Sequence, residues 1–270
     1  MNKKDDLNLA KKAAWAAIDT INEFKSKGIN IHQKGLHDLV TDADVAAERA
    51  ILEIIQNEYP DDLVLAEESA SDSTLTDQRT WIIDPIDGTT NFAHDFPIYC
   101  VSIALWVDQQ PSVGVVIEVS RKEEFSAIAG EGAWLNGEPI SVSDKSDPKQ
   151  GFVATGFPYN DLSMIDPYLR LLKVFMEKLL GIRRPGSAAY DMCCVACGRF
   201  DGFYEYSLHI WDVAAAALII REAGGVVTDW NGGEGWPFGQ RVVGGNADIH
   251  KYLLDNIIEY IPENVRNNVE

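Results

Sequence analysis

Apolar residues recur three or four positions apart near the start of the chain, which is the spacing of one face of an α-helix. The positions are Leu7, Ala10, Ala14, Ile18 and Ile21. A second helix is predicted after residue 40, with Thr41 or Asp42 as its N-cap and Pro60 marking its end. Its expected apolar face consists of Val45, Leu52 and Ile55.

The pattern becomes extended in the middle of the chain. LVLA at 63–66 and WIID at 81–84 are short apolar runs of strand length, and from Tyr99 the segments YCVSIALWV, SVGVVIEV and EEFSAIA follow, separated by DQQP and SRKE. Asn136-Gly137 favours a tight hairpin. We therefore predict an antiparallel meander in this region.

Helical and extended patterns alternate after residue 150. Strands are predicted at 152–157, 182–184, 203–206, 226–230 and 241–245, and helices near 164–180, 188–197, 212–223 and 250–261. The chain is predicted to form two layered α/β regions, residues 1–147 and 148–270, although no linker composition marks the boundary.

The chain is strongly acidic. Asp and Glu number 42 against 23 Lys and Arg, which gives a formal net charge of -19. Such a charge repels phosphate backbones and disfavours nucleic acid as a partner. No apolar run reaches the length of a membrane span, and MNKKDD lacks the apolar core of a signal peptide, so we expect a cytoplasmic protein without a membrane partner.

The cysteines and histidines give little sign of chemistry. Cys194 and Cys197 form a lone C-x-x-C without a second pair nearby, and we interpret them as small buried helix residues rather than a zinc or redox site. His94 lies near an acidic motif and is interpreted as a surface or packing residue.

The acidic motif is DPIDGTTNF, which directly follows the apolar run WII. Asp84 stands where a buried strand ends, Pro85 fixes a turn, Ile86 can offer its carbonyl and Asp87 turns back toward Asp84. Gly88 and the two threonines after it can start a short helix whose free N–H groups face an anion. Carboxylates beside such amides suit metal-assisted phosphate hydrolysis.

Other interpretations exist for single parts of this pattern. The core PIDG by itself is typical of an ordinary Asp-rich turn. The D-x-D-G-T pattern of the haloacid dehalogenase phosphatases is excluded, because its nucleophile position is occupied by Pro85. Asp212 follows Trp211 at a predicted helix start, where it can be an N-cap, a metal ligand or both.

Several long segments resemble the inositol monophosphatase family. WIIDPIDGTTNF at 81–92 and WDVAAAALIIREAGG at 211–225 resemble its two signature segments, and DLVTDAD at 38–44 and LAEES at 65–69 resemble two others. The similarity runs in the expected order from Lys34 to Gly245. It implies an α/β fold of the α+β type, a layered αβαβα sandwich like that of the sugar phosphatases, with mixed and antiparallel sheets.

The resemblance also implies a metal site with two to three Mg²⁺ ions. Glu67, Asp84 and the Ile86 carbonyl would hold one ion, Asp84, Asp87 and Asp212 a second, and Glu67 would contribute to a third. An all-oxygen ligand set also favours Mg²⁺ over zinc on chemical grounds.

Further roles follow from the same resemblance. Asp44 and Thr89 would orient and deprotonate the attacking water, and the amides of Gly88 and Thr89 would bind the phosphate. Glu68 is the neighbouring acid and is expected to support the metal ligands without binding an ion itself. Lys34 matches a family lysine near the site, although one residue fewer separates it from DLVT here.

On the leaving-group side, Glu205, Ala188, Asp87 and Asp212 match positions that contact the substrate alcohol, which implies inositol 1-phosphate or a similar polyol monophosphate. TGFPYN at 155–160 resembles the same subgroup. Related enzymes with this metal core hydrolyse 3′-phosphoadenosine 5′-phosphate, fructose 1,6-bisphosphate or histidinol phosphate. No basic cluster is poised for a second phosphate, Arg183 and Arg184 being the nearest candidates.

Two other classes of function stay open. Some bacterial relatives act as partners of the transcription machinery, so a regulatory binding protein is one alternative. A structural Ca²⁺ site is another, which the lack of an EF-hand loop disfavours. A homodimer and lithium sensitivity are implied by the resemblance alone.

Overall fold

The structure, a computed structural model, describes residues 2–28, 30–35, 38–69, 75–159 and 161–267, without the side chains of 34, 35, 38 and 162. The helices in this part of the chain are α1 Lys3–Lys27, α2 Asp42–Glu58, α3 Thr89–Ala93, α4 Ile165–Lys178, α5 Ala188–Ala196, α6 Ile210–Glu222, α7 Trp236–Gly239, α8 Ala247–Tyr260 and α9 Glu263–Arg266. Short 3₁₀ turns occur at Pro148–Gln150 and Leu162–Met164.

The strands before residue 140 are β1 Ile31–Gly35, β2 Asp38–Thr41, β3 Leu63–Ala66, β4 Thr80–Asp87, β5 Cys100–Val107, β6 Gln110–Glu118, β7 Glu123–Ile128, β8 Gly132–Leu135 and β9 Glu138–Pro139. Those after it are β10 Phe152–Thr155, β11 Gly181–Arg183, β12 Gly202–Tyr206, β13 Val226–Thr228 and β14 Arg241–Gly245.

Helix α1 forms where the apolar spacing predicts it. The Asn2 side chain accepts a hydrogen bond from the Lys4 amide at 3.1 Å and caps the first turn. Asp5 and Asp6 lie in that turn, where a helix dipole favours acids. The predicted apolar face is buried, which confirms this element.

The predicted apolar face of α2 is partly wrong. Val45 is 56 % exposed, whereas Ala43 and Ala47 are fully buried with Ile51 and Ile55. Small alanines let α2 approach α1 closely, so the buried face is the one that carries them, and Val45 points outward. Thr41, one of the two predicted caps, is the N-cap.

The first large sheet has seven strands in the order β3-β4-β5-β6-β7-β8-β9. Strands β3 and β4 are parallel, and every later neighbour is antiparallel, which confirms the predicted meander. Asn136 and Gly137 join β8 and β9 with φ angles of 51° and 85°, as a tight hairpin turn requires.

The second large sheet has five strands in the order β11-β10-β12-β14-β13. Strand β10 is parallel to β11 and β12, while β14 is antiparallel to β12 and β13. The first sheet is thus built from residues before 140 and the second from residues after 151. The division at 147/148 stays a prediction, because α5 and α6 pack on both sheets.

The layers follow from these contacts. Helices α1 and α2 cover one face of the seven-stranded sheet, α5 and α6 fill the space between the two sheets, and α4 and α8 cover the outer face of the five-stranded sheet. Three apolar cores fill the spaces between the helix layers and the two sheets. The predicted αβαβα sandwich is confirmed. Among the described residues, no helix is both long and apolar enough to span a bilayer.

Candidate active site

A β-bulge at the end of β4 orients the two acidic residues of the DPIDGTTNF motif. Asp84 pairs with Ser102 of β5 and Asp87 pairs with Cys100, so β4 takes three steps where β5 takes two. Without the extra residue, Asp84 and Asp87 would point to opposite faces of the sheet. With it, both carboxylates point toward α5 and α6, while Ile86 packs in the core on the other face.

Asp84 is the centre of an acidic cluster. It is 2 % exposed, and its Oδ1 accepts a hydrogen bond from the Ile86 amide at 2.9 Å. The pKa of Asp84 is raised well above the usual range. Burial is the largest cause, and the negative charges of neighbouring carboxylates add to it, in decreasing order Glu67, Asp87, Asp212 and Asp44. The structure therefore brings together five carboxylates that the sequence analysis selected.

Asp87 is held at the N-terminus of α5. Its Oδ2 accepts hydrogen bonds from the Ser187 hydroxyl and the Ala189 amide, both at 2.7 Å, and its Oδ1 accepts one from the Ala188 amide at 3.2 Å. The Cys100 thiol lies 3.6 Å from Oδ2. Burial raises the pKa of Asp87, and these hydrogen bonds oppose the rise.

Asp212 occupies the third position of α6 and not its N-cap, which is His209. The Oδ2 atom of Asp212 accepts a hydrogen bond from the His209 amide at 2.7 Å, as in a capping box. Burial, and then the charge of Asp87, raise the pKa of Asp212 to about 7, against hydrogen bonds with His209 and Asp84. Asp212 therefore both accepts a capping hydrogen bond and lies near the acidic cluster.

Asp44 and Thr89 are in direct contact. The Thr89 hydroxyl lies 3.1 Å from Asp44 Oδ1 and 3.0 Å from the Ile86 carbonyl oxygen. The other Asp44 oxygen accepts hydrogen bonds from the amide and hydroxyl of Thr41, the N-cap of α2, at 2.8 and 2.6 Å. Burial raises the pKa of Asp44 to about 6 in spite of these donors.

Gly88 opens helix α3 beside this pair. Its φ is 99°, and a Cβ there would lie 3.1 Å from the Ile98 carbonyl oxygen, so both conformation and space favour glycine. The amides of Gly88 and Thr89 lie at the start of α3, where backbone N–H groups lack helical partners. Such groups can bind phosphate oxygens.

Glu205 lies on β12 and approaches the backbone of Gly156. A Cβ on Gly156 would be 1.7 Å from Glu205 Oε1, so the carboxylate occupies the space that any larger residue would fill. Desolvation raises the pKa of Glu205 to about 8, with Arg184 opposing and Asp87 and Asp212 adding to the rise. Glu205 and Ala188 thus lie on the side of the cluster that α5 and β12 form.

Two further predicted residues flank the cluster. The Glu67 amide donates to the Ile83 carbonyl at 3.2 Å and extends the pairing of β3 with β4, which places Glu67 beside the end of β4. Glu68 follows, and its charge contributes to the raised pKa of Asp44. The side chain of Lys34 lies outside the described part of the chain, so that assignment stays a prediction.

Several residues that support the site were not predicted from the sequence. The Ser187 hydroxyl donates to Asp87, and Glu48 accepts from the Glu68 backbone amide at 2.9 Å. The side-chain amide nitrogen of Asn91 donates to the carbonyls of Ile98 and Pro185 at 2.8 and 2.9 Å. Asp191 of α5 is 1 % exposed, and its Oδ1 has no hydrogen-bond partner. Asn91 lies within the acidic motif and Ser187 precedes Ala188, so their positions in the sequence were the available signals.

The donor set fits a hard divalent cation in chemistry. The charges of Glu67, Asp87, Asp212 and Asp44 act on Asp84. Burial raises the pKa of the nearby Cys100 thiol well above its usual value, so that thiol is a poor ligand. Among the described residues, however, no group of three or more His, Cys, Asp or Glu side chains is arranged so that it could hold a metal ion. Asp87 and Asp212 instead accept hydrogen bonds from helix N-terminal amides, and each keeps unused lone pairs.

The remaining cysteines and His94 lie as predicted. Cys193 and Cys194 are buried and Cys197 is partly buried, all as free thiols on or after α5. Burial raises the pKa of each, which makes them unreactive. His94 is exposed.

Comparison with known proteins places the chain in a family. The model of the inositol monophosphatase family matches residues 2–266. A putative Nus factor SuhB of Neisseria meningitidis serogroup B is 40 % identical over 94 % of this chain and 98 % of its own length. An inositol monophosphatase of Dictyostelium discoideum is 39 % identical over 90 % of this chain and 94 % of its own.

The fold has the same relatives. The crystal structure of the extragenic suppressor protein suhB from Bartonella henselae superposes with a TM-score of 0.89 at 36 % identity, covering 95 % of this chain and all of the other.

Proposed function

Because the chain belongs to the inositol monophosphatase family of phosphatases, we propose that it is a Mg²⁺-dependent phosphomonoesterase acting on inositol 1-phosphate or a similar polyol monophosphate. The observation that carries the proposal is the cluster of carboxylates around Asp84, set beside the N-terminus of α3. Carboxylates attract divalent cations, and free helix amides attract phosphate.

In this proposal the acidic cluster holds the ions. Glu67, Asp84 and the Ile86 carbonyl would hold one Mg²⁺. Asp84, Asp87 and Asp212 would hold a second, and Glu67 would contribute to a third. When bound, the ions supply Lewis-acid chemistry, lowering the pKa of a water and neutralising charge on the phosphoryl group. The raised pKa values of Asp84 and Asp212 support this arrangement, because clustered carboxylates repel one another and a cation relieves the repulsion.

Asp44 and Thr89 are proposed to activate the attacking water. The Thr89 hydroxyl can donate a hydrogen bond to Asp44 Oδ1, 3.1 Å away. The lone pairs of the Thr89 oxygen then face the attacking water, so that this oxygen can accept a proton from it. With its pKa raised to about 6, Asp44 is ionised near neutral pH and can take up that proton. No nucleophilic side chain is needed, so the attack occurs directly on phosphorus.

The substrate is held from two sides. The amides of Gly88 and Thr89 bind the phosphate at the start of α3, and Glu205, Ala188, Asp87 and Asp212 face the alcohol. A carboxylate beside the alcohol suits hydroxyl groups, which donate hydrogen bonds to it. The negative charge of this carboxylate disfavours a second phosphate. Bisphosphate nucleotidase and fructose-1,6-bisphosphatase activities are therefore the alternatives that we rank second.

The test is inorganic phosphate release by the purified protein, with and without Mg²⁺. The substrates are inositol 1-phosphate, 3′-phosphoadenosine 5′-phosphate, fructose 1,6-bisphosphate and histidinol phosphate. We expect Mg²⁺-dependent turnover that is fastest on inositol 1-phosphate, and a loss of about 10³-fold or more in Asp87→Asn, which removes an ionised ligand. A preference for another ester would overturn the substrate but keep the site.

A second function is suggested by the names of relatives, several of which are called Nus factor SuhB. A regulatory role in a transcription complex requires the fold and a protein surface but no turnover. The Asp87→Asn variant separates the two functions, because a binding role would survive in it. The net charge of -19 disfavours direct contact with nucleic acid.

We also propose a homodimer. Exposed apolar side chains on and after α4 support it: Leu169 is 53 %, Met176 70 % and Leu180 66 % exposed. Apolar patches of this kind are typical of interfaces. Lithium sensitivity and a cytoplasmic location are proposed on family grounds.

A further inference from the structure

Helix α2 carries a second buried acid that the proposed mechanism does not use. Glu48 is 3 % exposed and lies one helical turn after Asp44, on the same face of α2. Glutamate is rarely buried unless its carboxylate has hydrogen-bond partners. The interactions of Glu48 therefore need an explanation.

The partner of Glu48 lies in the loop that carries Glu67. The Glu48 Oε2 atom accepts a hydrogen bond from the Glu68 amide at 2.9 Å, a contact between residues 20 positions apart. The preceding amide, that of Glu67, donates to Ile83 in the neighbouring strand β4. The backbone on either side of the Glu67 carbonyl is thus fixed, on one side by the sheet and on the other by Glu48.

The two acids of α2 therefore reach the ends of two adjacent parallel strands. Asp44 contacts Thr89 just after β4, and Glu48 contacts Glu68 just after β3. Ala43, Ala47 and Ile51 anchor the helix in the core, so α2 is a rigid support for both loops.

We propose that Glu48 is a positioning residue that holds the Glu67 loop in the geometry for cation binding. It acts through the hydrogen bond that its carboxylate accepts from the Glu68 amide, and not through its charge. The inference rests on the proposed role of Glu67 as a metal ligand. Supporting residues of this kind are typically worth 10- to 100-fold in metal affinity.

The experiment compares three variants of the full-length protein. Glu48→Gln keeps an acceptor oxygen, Glu48→Met keeps the volume without an acceptor, and Glu53→Ala removes an exposed acid from the same helix as a control. Mg²⁺ affinity is measured by isothermal titration calorimetry, and backbone hydrogen exchange is followed over residues 63–69.

We expect Glu48→Met to bind Mg²⁺ about 10- to 100-fold more weakly and to exchange the Glu68 amide faster. Glu48→Gln should stay within about threefold of the wild type, since an amide oxygen accepts the same bond. Glu53→Ala should match the wild type in both measurements.

Each contrary result has a distinct meaning. Wild-type affinity in Glu48→Met overturns the inference and leaves the proposed function intact. Equal losses in Glu48→Gln and Glu48→Met overturn it as well, because the charge would then matter rather than the hydrogen bond. A wild-type protein that binds no Mg²⁺ overturns both the inference and the proposed function.

Discussion

Gly156 determines where the carboxylate of Glu205 can lie. The carboxylate crosses the α-carbon of Gly156 at a distance that leaves no room for a side chain. The backbone there is held in place, because the Tyr168 hydroxyl donates to the Gly156 carbonyl at 2.6 Å. A larger residue must therefore displace Glu205 and not the strand.

We expect Gly156→Ala to raise KM for inositol 1-phosphate about tenfold, the scale of one displaced charged hydrogen bond. The Mg²⁺ dependence should stay unchanged, because neither Gly156 nor Glu205 is a proposed metal ligand. Initial-rate kinetics over substrate and Mg²⁺ concentration give both values. Gly239→Ala is the matched control, since a Cβ there meets open space. An unchanged KM would contradict the role of Glu205 in binding the alcohol.

The raised pKa values of the acidic cluster predict how stability depends on pH. The folded pKa is about 6 for Asp44, about 7 for Asp212 and about 8 for Glu205, each above the value in an unfolded chain. The folded protein therefore binds more protons than the unfolded one between about pH 4 and pH 8. Protonation of these three groups therefore stabilises the folded state. The stabilisation is complete at about pH 4 and is lost as the pH rises through the pKa values of the folded protein.

We expect the melting temperature in EDTA to fall between about pH 5.5 and pH 8.5, and saturating Mg²⁺ to reverse most of that fall, because a bound cation favours the ionised acids. Differential scanning calorimetry with and without Mg²⁺ tests this. Asp212→Asn should flatten the profile in EDTA. A melting temperature that rises steadily with pH in EDTA would argue against the crowded acidic cluster.

The segment between β9 and β10 connects the two sheets. The Asp201 carboxylate, fully buried before β12, accepts hydrogen bonds from Ser143, from Lys145 and from the Phe152 amide at 2.6, 3.0 and 2.7 Å. It thereby fixes the chain where it passes from the first sheet to the second.

We expect Asp201→Ala to lower the free energy of unfolding by about 3–5 kcal/mol, because it leaves a buried amide and a cation without their acceptor. Asp144→Ala removes an exposed acid from the same segment and should cost less than about 0.5 kcal/mol. Urea denaturation measures both. Equal effects of the two substitutions would show that this junction contributes no special stability.

The sequence predicted the elements well where periodicity was strong, as in α1 and the meander. It was wrong about Val45, because the close packing of α2 on α1 selects alanines over the larger residue. The bulge in β4 was not predicted, since it depends on pairing with β5. Glu48 and Ser187 were missed for the same reason, as their partners lie 20 and 100 residues away.

The contiguous acidic motif made the centre of the site predictable, and family resemblance supplied the distant positions Ala188, Glu205 and Asp212.

At the scale of the whole molecule, the site needs both halves of the chain. Asp84 and Asp87 come from the first sheet, whereas Asp212 and the amides that hold Asp87 come from α6 and α5. These helices lie between the sheets, so the cluster is complete only when the layers have assembled.

This arrangement has a consequence during protein synthesis. The ribosome adds Asp212 long after Glu67 and Asp84, and a growing chain that ends before α6 lacks one of the proposed ligands. The second proposed ion therefore cannot bind while the first half emerges, and the apolar core of that half forms without it. In this protein, the capacity to cleave an ester would arise only after α6 has been synthesised and has packed between the two sheets.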